Sequence, residues 1–223
     1  MEPNDASDYS KVGYWDARYG VEAHYEWFPS VYESCVDHIS NILCTANASN
    51  GDDELRVLHL GCGNSALPVD VQQRCARNGV NLQQVAVDYS ATVIQNMSLR
   101  HARYEDVQWV IGDVRHLSEV PKVVSAAPFD VIIDKGTMDA LQADSQCSTT
   151  DEDLMSMLHG VSSLLRRDAT SLFLQITWEI PYLRLHVTKR PEFPWGANIT
   201  TTFLGDSDVY RLYVYRVGSG KRL

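Results

Sequence analysis

Gly61-Cys62-Gly63-Asn64-Ser65-Ala66 satisfies the pattern G-x-G-x-x-G/A, in which two glycines let the main chain approach a ligand that a side chain would push away. The hexapeptide follows the apolar run "LRVLHL" and precedes apolar residues at helical spacing, so it turns a strand into a helix. Read literally, that turn is a dinucleotide site. A plain structural turn would carry the same residues. Asp88 ends a second apolar run about twenty-five residues further on, where a carboxylate accepts both ribose hydroxyls of an adenosine cofactor. Those two signals fit NAD and S-adenosylmethionine equally.

Asp113 separates them. It stands directly after a third apolar run, in "IGDVRHL". Class I methyltransferases place an acid there against the adenine amino group, and the amide of the next residue, here Val114, meets the ring nitrogen. An NAD domain has no fixed need for that acid. Glycine or acid at three successive strand ends forms a trail for an S-adenosylmethionine molecule across one edge of a sheet. One position is atypical: His59 stands two residues before Gly61, where many methyltransferases carry an acid.

The elements that must position these residues alternate. "LRVLHL", "LQQVAVDYS", "VQWVIGDV", "FDVIIDKG" and "TSLFLQITW" read as strands, with helical patterns between them. A helix is expected from about Ser65 to Arg77. Ser90 is the expected cap of a helix carrying Val93, Ile94 and Met97 on one face. Asp151 is the expected cap of another, with Leu154, Leu158, Val161 and Leu165 on one stripe. Strands separated by helices pair in parallel through right-handed crossovers. The end of the chain differs: "ANITTTFLG" and "DVYRLYVYRV", joined by a turn, alternate polar and apolar residues as an antiparallel hairpin does. The expected fold is therefore α/β: a Rossmann-like, seven-stranded sheet, mostly parallel, with an antiparallel C-terminal hairpin and helices on both faces. "CTANASNGDD" and "QADSQCSTT" are the longest expected loops.

With 223 residues the chain has room for one well-buried domain. Residues 1–12 are expected to be a flexible tail and 13–223 a single domain, in which 13–45 form an N-terminal lid and helix. A formal net charge of -10 with no basic run argues against a nucleic-acid partner. The five cysteines are odd in number and lack CxxC spacing, which fits reduced thiols in the cytoplasm. The sequence has neither an apolar run long enough for a membrane span nor an apolar N-terminal segment of the signal-peptide kind. The seven histidines show no metal-ligand spacing, so no metal is expected. Nothing in the sequence fixes the oligomeric state, and a monomer is favoured.

"YWDARYG" and "YEWF", then "LGCGNSAL", "DYS", "GDVRHL" and "FDVIIDKGTMDAL", occur in this order between Tyr14 and Leu141. Together they resemble one subgroup of methyltransferases, the elongation factor 1-alpha lysine methyltransferase 4 type and its relatives in the methyltransferase-like protein 13 group. The resemblance implies that Trp15, Tyr19 and Trp27 contact the cofactor as a lid over its methionine end. It implies that Gly61 touches the methionine portion, with Cys62, Gly63 and Asn64 in the same turn. It places Asp88 and Tyr89 on the ribose and adenine, Asp113 and Val114 on the adenine, and Lys135 in the cofactor pocket. Arg18, at the "WDARY" spacing, is a further candidate, as a bidentate clamp on the cofactor carboxylate. Other readings stand beside these. The three aromatics would equally make a hydrophobic clasp, Lys135 a surface residue, and Asp134 or Asp139 a helix cap.

The sulfonium of S-adenosylmethionine makes its methyl electrophilic, so direct in-line displacement by a well-placed nucleophile suffices. Asp134 is the candidate for orienting an acceptor amine. No Asn/Asp-Pro-Pro-Tyr element follows the fourth strand, which disfavours base or glutamine amide methylation. The expected activity is methyl transfer to a protein lysine, with a translation elongation factor as the candidate acceptor. The alternative is a small-molecule acceptor: a thiol, hydroxyl or amine.

Overall fold

The computed structural model describes residues 3, 5–50, 54–143, 149–206 and 208–218. Seven strands form one sheet: β1 (Glu54–Leu60), β2 (Asn81–Asp88), β3 (Val107–Ile111), β4 (Val131–Lys135), β5 (Leu172–Thr177), β6 (Ile199–Phe203) and β7 (Arg211–Arg216). Their order is β3-β2-β1-β4-β5-β7-β6. The first five pair in parallel, and β7 runs antiparallel to both β5 and β6. The expected hairpin is there. Its second strand, rich in buried tyrosine, inserts beside β5, while the threonine-rich β6 takes the exposed edge.

Around the sheet lie α1 (Val12–Val21), α2 (Tyr32–Asn50), α3 (Leu67–Arg77), α4 (Ala91–Arg100), α5 (Pro121–Ala126), α6 (Thr137–Gln142), α7 (Thr150–Leu164) and α8 (Pro181–Thr188). Successive strand residues point to opposite faces, and the core divides accordingly. Leu58, Leu60, Ile132 and Phe173 pack with Met157, Leu158 and Val161 of α7. Val57, Val131, Ile133 and Leu174 pack on the other face with Ile39, Leu43 and Val71 of α2 and α3. Both faces are covered, which is why the central strands are apolar runs rather than alternations.

Several boundaries move. The helix after the glycine turn starts at Leu67, with Pro68 in its first turn, rather than at Ser65. Thr149, not Asp151, precedes α7, and Asp151 sits in its first turn, where a carboxylate favours the helix dipole. α2 runs on through Asn50, into the segment expected to be a loop from Cys44. Residues 51–53 of that loop, and 144–148 of the other with Cys147, lie outside the described residues. Part of the expected tail is folded: Ala6–Ser10 form a 3-10 turn capped by Asp5, and Tyr9 accepts a 2.8 Å hydrogen bond from Trp15 Nε1 at its carbonyl. The Tyr9 ring supplies the reason, lying 5.2 Å from Trp27 and 5.8 Å from Trp15. Among the described residues no helix is long and apolar enough to cross a membrane.

Strand order reverses between β1 and β4, so a crevice opens outside the carboxyl ends of the strands, where this architecture binds ligands. Gly61, Asp88, Asp113 and Lys135 all stand at those ends.

Candidate active site

The glycine turn leaves β1 with Gly61 and Gly63 each at φ +52°. That conformation suits glycine. A Cβ on Gly61 would fall on the side chain of Thr137, and one on Gly63 would come within 2.9 Å of the Tyr19 hydroxyl. Asp88, at the end of β2, pins the turn: its Oδ2 accepts from the Gly63 N–H at 2.9 Å and its Oδ1 from the Ser90 N–H at 2.9 Å. Ser90 caps α4 as expected, accepting from the Val93 N–H at 3.3 Å and donating to Asp16 of α1 at 2.5 Å. Burial pushes the Asp88 carboxyl up to about 6; the two N–H bonds offset part of that, and Asp16 and Asp113 add to it. Each oxygen keeps a lone pair free for another donor.

Beyond β3, burial would raise the Asp113 carboxyl, but Arg115 outweighs it and holds the group below the usual carboxylate range. Arg115 reaches both carboxylate oxygens, with Nη2 on Oδ2 at 2.6 Å and Nε on Oδ1 at 2.9 Å. Opposite stands an aromatic wall. Helical spacing puts Trp15 and Tyr19 on the inner face of α1, 5.5 Å apart and stacked, and Trp27 lies 5.7 Å from Trp15. Trp27 Nε1 is buried without a hydrogen-bond partner in the protein. Glu26, beside it, fastens the wall to the sheet: Ser65 Oγ donates to its Oε2 at 2.6 Å and Lys135 pairs with its Oε1.

These groups enclose one cleft, with about 730 Å³ of empty space including its open mouth. Trp15, Tyr19, Trp27, Gly61, Cys62, Gly63, Asn64, Asp88, Tyr89, Asp113, Val114 and Lys135 line it, so the structure brings twelve sequence candidates together. It adds Tyr9, Tyr25, Ser65, Gly136, Thr137, Ala140 and Leu141. Tyr25, Gly136 and Thr137 lie inside the "YEWF" and "DKGTMDAL" segments and were legible there; Tyr9 had no signal.

Two candidates fall elsewhere. Arg18 is fully buried but does not line the cleft: Nε holds Glu22 at 2.5 Å, Nη1 holds the Tyr14 hydroxyl at 2.7 Å, and the guanidinium lies 3.9 Å from the Tyr25 ring centre. These contacts hold it against α1 and Tyr25, while its Nη2 is buried without a hydrogen-bond partner. Asp134 is also buried outside the lining, accepting from the Thr137 N–H and from Gln175 Nε2, each at 2.8 Å. It organises the first turn of α6, the capping alternative, with neither carboxylate oxygen in the lining of the cleft. His59 is buried and donates from Nε2 to Gln84 at 2.7 Å, because the Gln84 amide nitrogen is spent on the Pro68 carbonyl and Gln72. Burial pushes its imidazole down to about 4, so position 59 is neutral and packs β1 against β2. Among the described residues no cluster of His, Cys, Asp or Glu could hold a metal ion.

Residues 51–176 match a family model described as a methyltransferase domain. The chain is 29% identical over 233 residues to EEF1A lysine methyltransferase 4 of Bos taurus, covering 99% of this chain and 80% of that protein. It is 26% identical to methyltransferase srdJ of Neurospora crassa, covering 93% and 83%. Among solved structures, the N-methyltransferase NodS of Bradyrhizobium japonicum, in complex with S-adenosylhomocysteine, shares the fold with a TM-score of 0.58 at 12% identity, over 94% of this chain and 100% of that one. The plantazolicin methyltransferase BpumL, also in complex with S-adenosylhomocysteine, does so with a TM-score of 0.58 at 10% identity, over 96% of each chain.

Proposed function

The chain belongs to the methyltransferase domain family, and from that premise we propose that it methylates a lysine side chain of a protein, a translation elongation factor being the first acceptor to try. It is an S-adenosylmethionine-dependent methyltransferase. The cleft fits that cofactor. Asp88 is a buried carboxylate with lone pairs to spare for ribose hydroxyls, and Trp27 Nε1 is a buried donor awaiting an acceptor. Asp88 and Tyr89 would hold the ribose and adenine, Asp113 and Val114 the adenine, and the turn from Gly61 to Asn64 the methionine portion. Trp15, Tyr19 and Trp27 would close over it, with Lys135 completing the wall.

When bound, S-adenosylmethionine supplies a methyl group already activated by its sulfonium. What remains for the protein is placement and dryness. The aromatic wall excludes water and offers electron-rich faces to an incoming ammonium. The glycine turn fixes the ligand because Asp88 ties Gly63 to the end of β2. A lysine acceptor must shed its proton before attack, so kcat/KM should rise with pH below the acceptor's own pKa. Residues 13–223 act as one domain, with 13–45 as lid and first long helix. We take the protein to be a monomer working in the cytoplasm.

The observation that carries the lysine reading is the near-full-length similarity to a relative named for EEF1A lysine methylation. The net charge of -10 is in keeping with a basic acceptor. The test uses methyl-labelled S-adenosylmethionine, purified unmethylated elongation factor 1-alpha, and an extract separated into protein and small-molecule fractions. Label on protein, stable to base and mapped to lysine, is the expected result. Label confined to small molecules would replace this reading with a small-molecule acceptor.

A further inference from the structure

Where the chain leaves β5 for α8, it presents an apolar surface to solvent. Trp178, Ile180 and Leu183 are 42–47% exposed and Tyr182 is 83% exposed. Single exposed apolar side chains are ordinary; four within one six-residue stretch at the mouth of a site mark an interaction surface. The stretch is continuous with the cleft. Trp178 lies 5.8 Å from Trp27, which lines the cleft, and 5.5 Å from Phe28.

The underside is built as a support. Arg184, fully buried on the opposite face of α8, pairs with Asp139 of α6 and donates to Thr177 Oγ1 at 3.1 Å. Thr177 in turn donates to Asp139 at 2.6 Å, and the Glu179 N–H donates to Thr177 at 2.9 Å. The Tyr213 hydroxyl donates to the Glu179 carbonyl at 2.9 Å. A buried ion pair is an expensive way to hold a helix unless the helix must keep one position. These bonds tie the stretch from Thr177 to Arg184 to α6 and β7 from beneath, although Arg184 Nε and Nη1 and Asp139 Oδ2 are buried without hydrogen-bond partners.

Charge favours a protein acceptor over a second copy. The chain carries -10 overall and Glu179 interrupts the apolar stretch, with the exposed His186 and Lys189 further along; two copies would repel through their net charge, whereas a basic acceptor would be drawn in. We propose that residues 178–183 dock the lysine-bearing segment of the protein acceptor, receiving an apolar or aromatic side chain that flanks the target lysine. This inference rests on the protein-lysine reading and adds to it where the acceptor binds.

The test compares the full-length protein with the double variant Tyr182→Ser, Leu183→Ser, using purified unmethylated elongation factor 1-alpha as acceptor. Both side chains are exposed and neither lines the cofactor cleft, so the variant should keep its melting temperature and its stabilisation by S-adenosylhomocysteine. The expected result is a KM for the acceptor protein raised about tenfold with kcat within about twofold. An unchanged KM would overturn the docking surface and leave the lysine reading intact. Absence of protein methylation by the unmodified enzyme would overturn both. Size in solution is read alongside: an unmodified protein that is dimeric and a variant that is monomeric would mean that a second copy covers this surface, which also overturns the proposal.

Discussion

A buried carboxylate with two main-chain N–H groups on it, as at Asp88, shapes the glycine turn and keeps a lone pair on each oxygen for a further donor, the ribose hydroxyls in the function proposed above. Its carboxyl titrates near 6 in the folded chain, against an ordinary value of 3.8. Between those values the folded state holds a proton that the unfolded state has lost. The unliganded protein therefore loses stability as pH rises from about 4 to about 6 and carries the ionised group at a cost at neutral pH. Hydroxyl donors from a ligand offset that cost only when Asp88 is ionised. Affinity for S-adenosylhomocysteine should consequently weaken below pH 6, approaching tenfold per unit of pH, as calorimetric titration between pH 7.5 and 5 would measure. A flat profile would mean that Asp88 is not the ribose acceptor. Asp88 and Asp113 were legible because each closes a strand spelled out by its neighbours. The pairing of Arg18 was also in the sequence: Glu22 lies four residues on, the spacing of a helical ion pair. For Asp134 only the capping alternative was legible; its bond with Gln175 was not, because that partner comes from the next strand, 41 residues away.

Helices and strands fix the site through their ends. Ser90 joins three of them, ending the β2 turn, capping α4 and holding Asp16 of α1. Ser90→Ala should cost about 1 kcal/mol, the usual loss for a helix cap, and lower the melting temperature by roughly 2–4 °C. Arg184 ties α8 to α6 and β5. Removing it as Arg184→Met leaves Asp139 buried without its cation, and burial already pushes that carboxyl up to about 6, with Arg184 opposing the shift. The loss of stability should be about 3–5 kcal/mol at pH 8, where Asp139 must be charged. It should shrink near pH 5, where the group takes a proton; urea unfolding at the two pH values gives the comparison. Equal losses at both would mean that packing, not charge, is what Arg184 supplies. Element types followed from periodicity, but their neighbours did not. Alternation identified the C-terminal hairpin, yet only the contrast between "RLYVYR" and "ITTTF" hints that the tyrosine strand takes the inner place.

Across the whole molecule, the cleft exists because the N-terminal segment folds back over the carboxyl edge of the sheet and is fastened there by Glu26 to Ser65 and Lys135. Sequence placed the aromatics in the site without showing what holds them, since these partners lie 39 and 109 residues from Glu26. Binding should tighten this closure: amide hydrogen exchange in residues 12–28 and 61–65 should slow when S-adenosylhomocysteine is added, and exchange in β6 should not change. The most direct measurement is thermal unfolding with S-adenosylhomocysteine and, separately, with NADH, for the natural protein and Asp88→Ala. A ligand at a hundred times its Kd adds about 2.7 kcal/mol, or roughly 5–10 °C in a chain of this size. The expected result is that rise with S-adenosylhomocysteine alone, abolished by Asp88→Ala. Stabilisation by NADH, or by S-adenosylhomocysteine equally in both proteins, would contradict the assignment of this cleft.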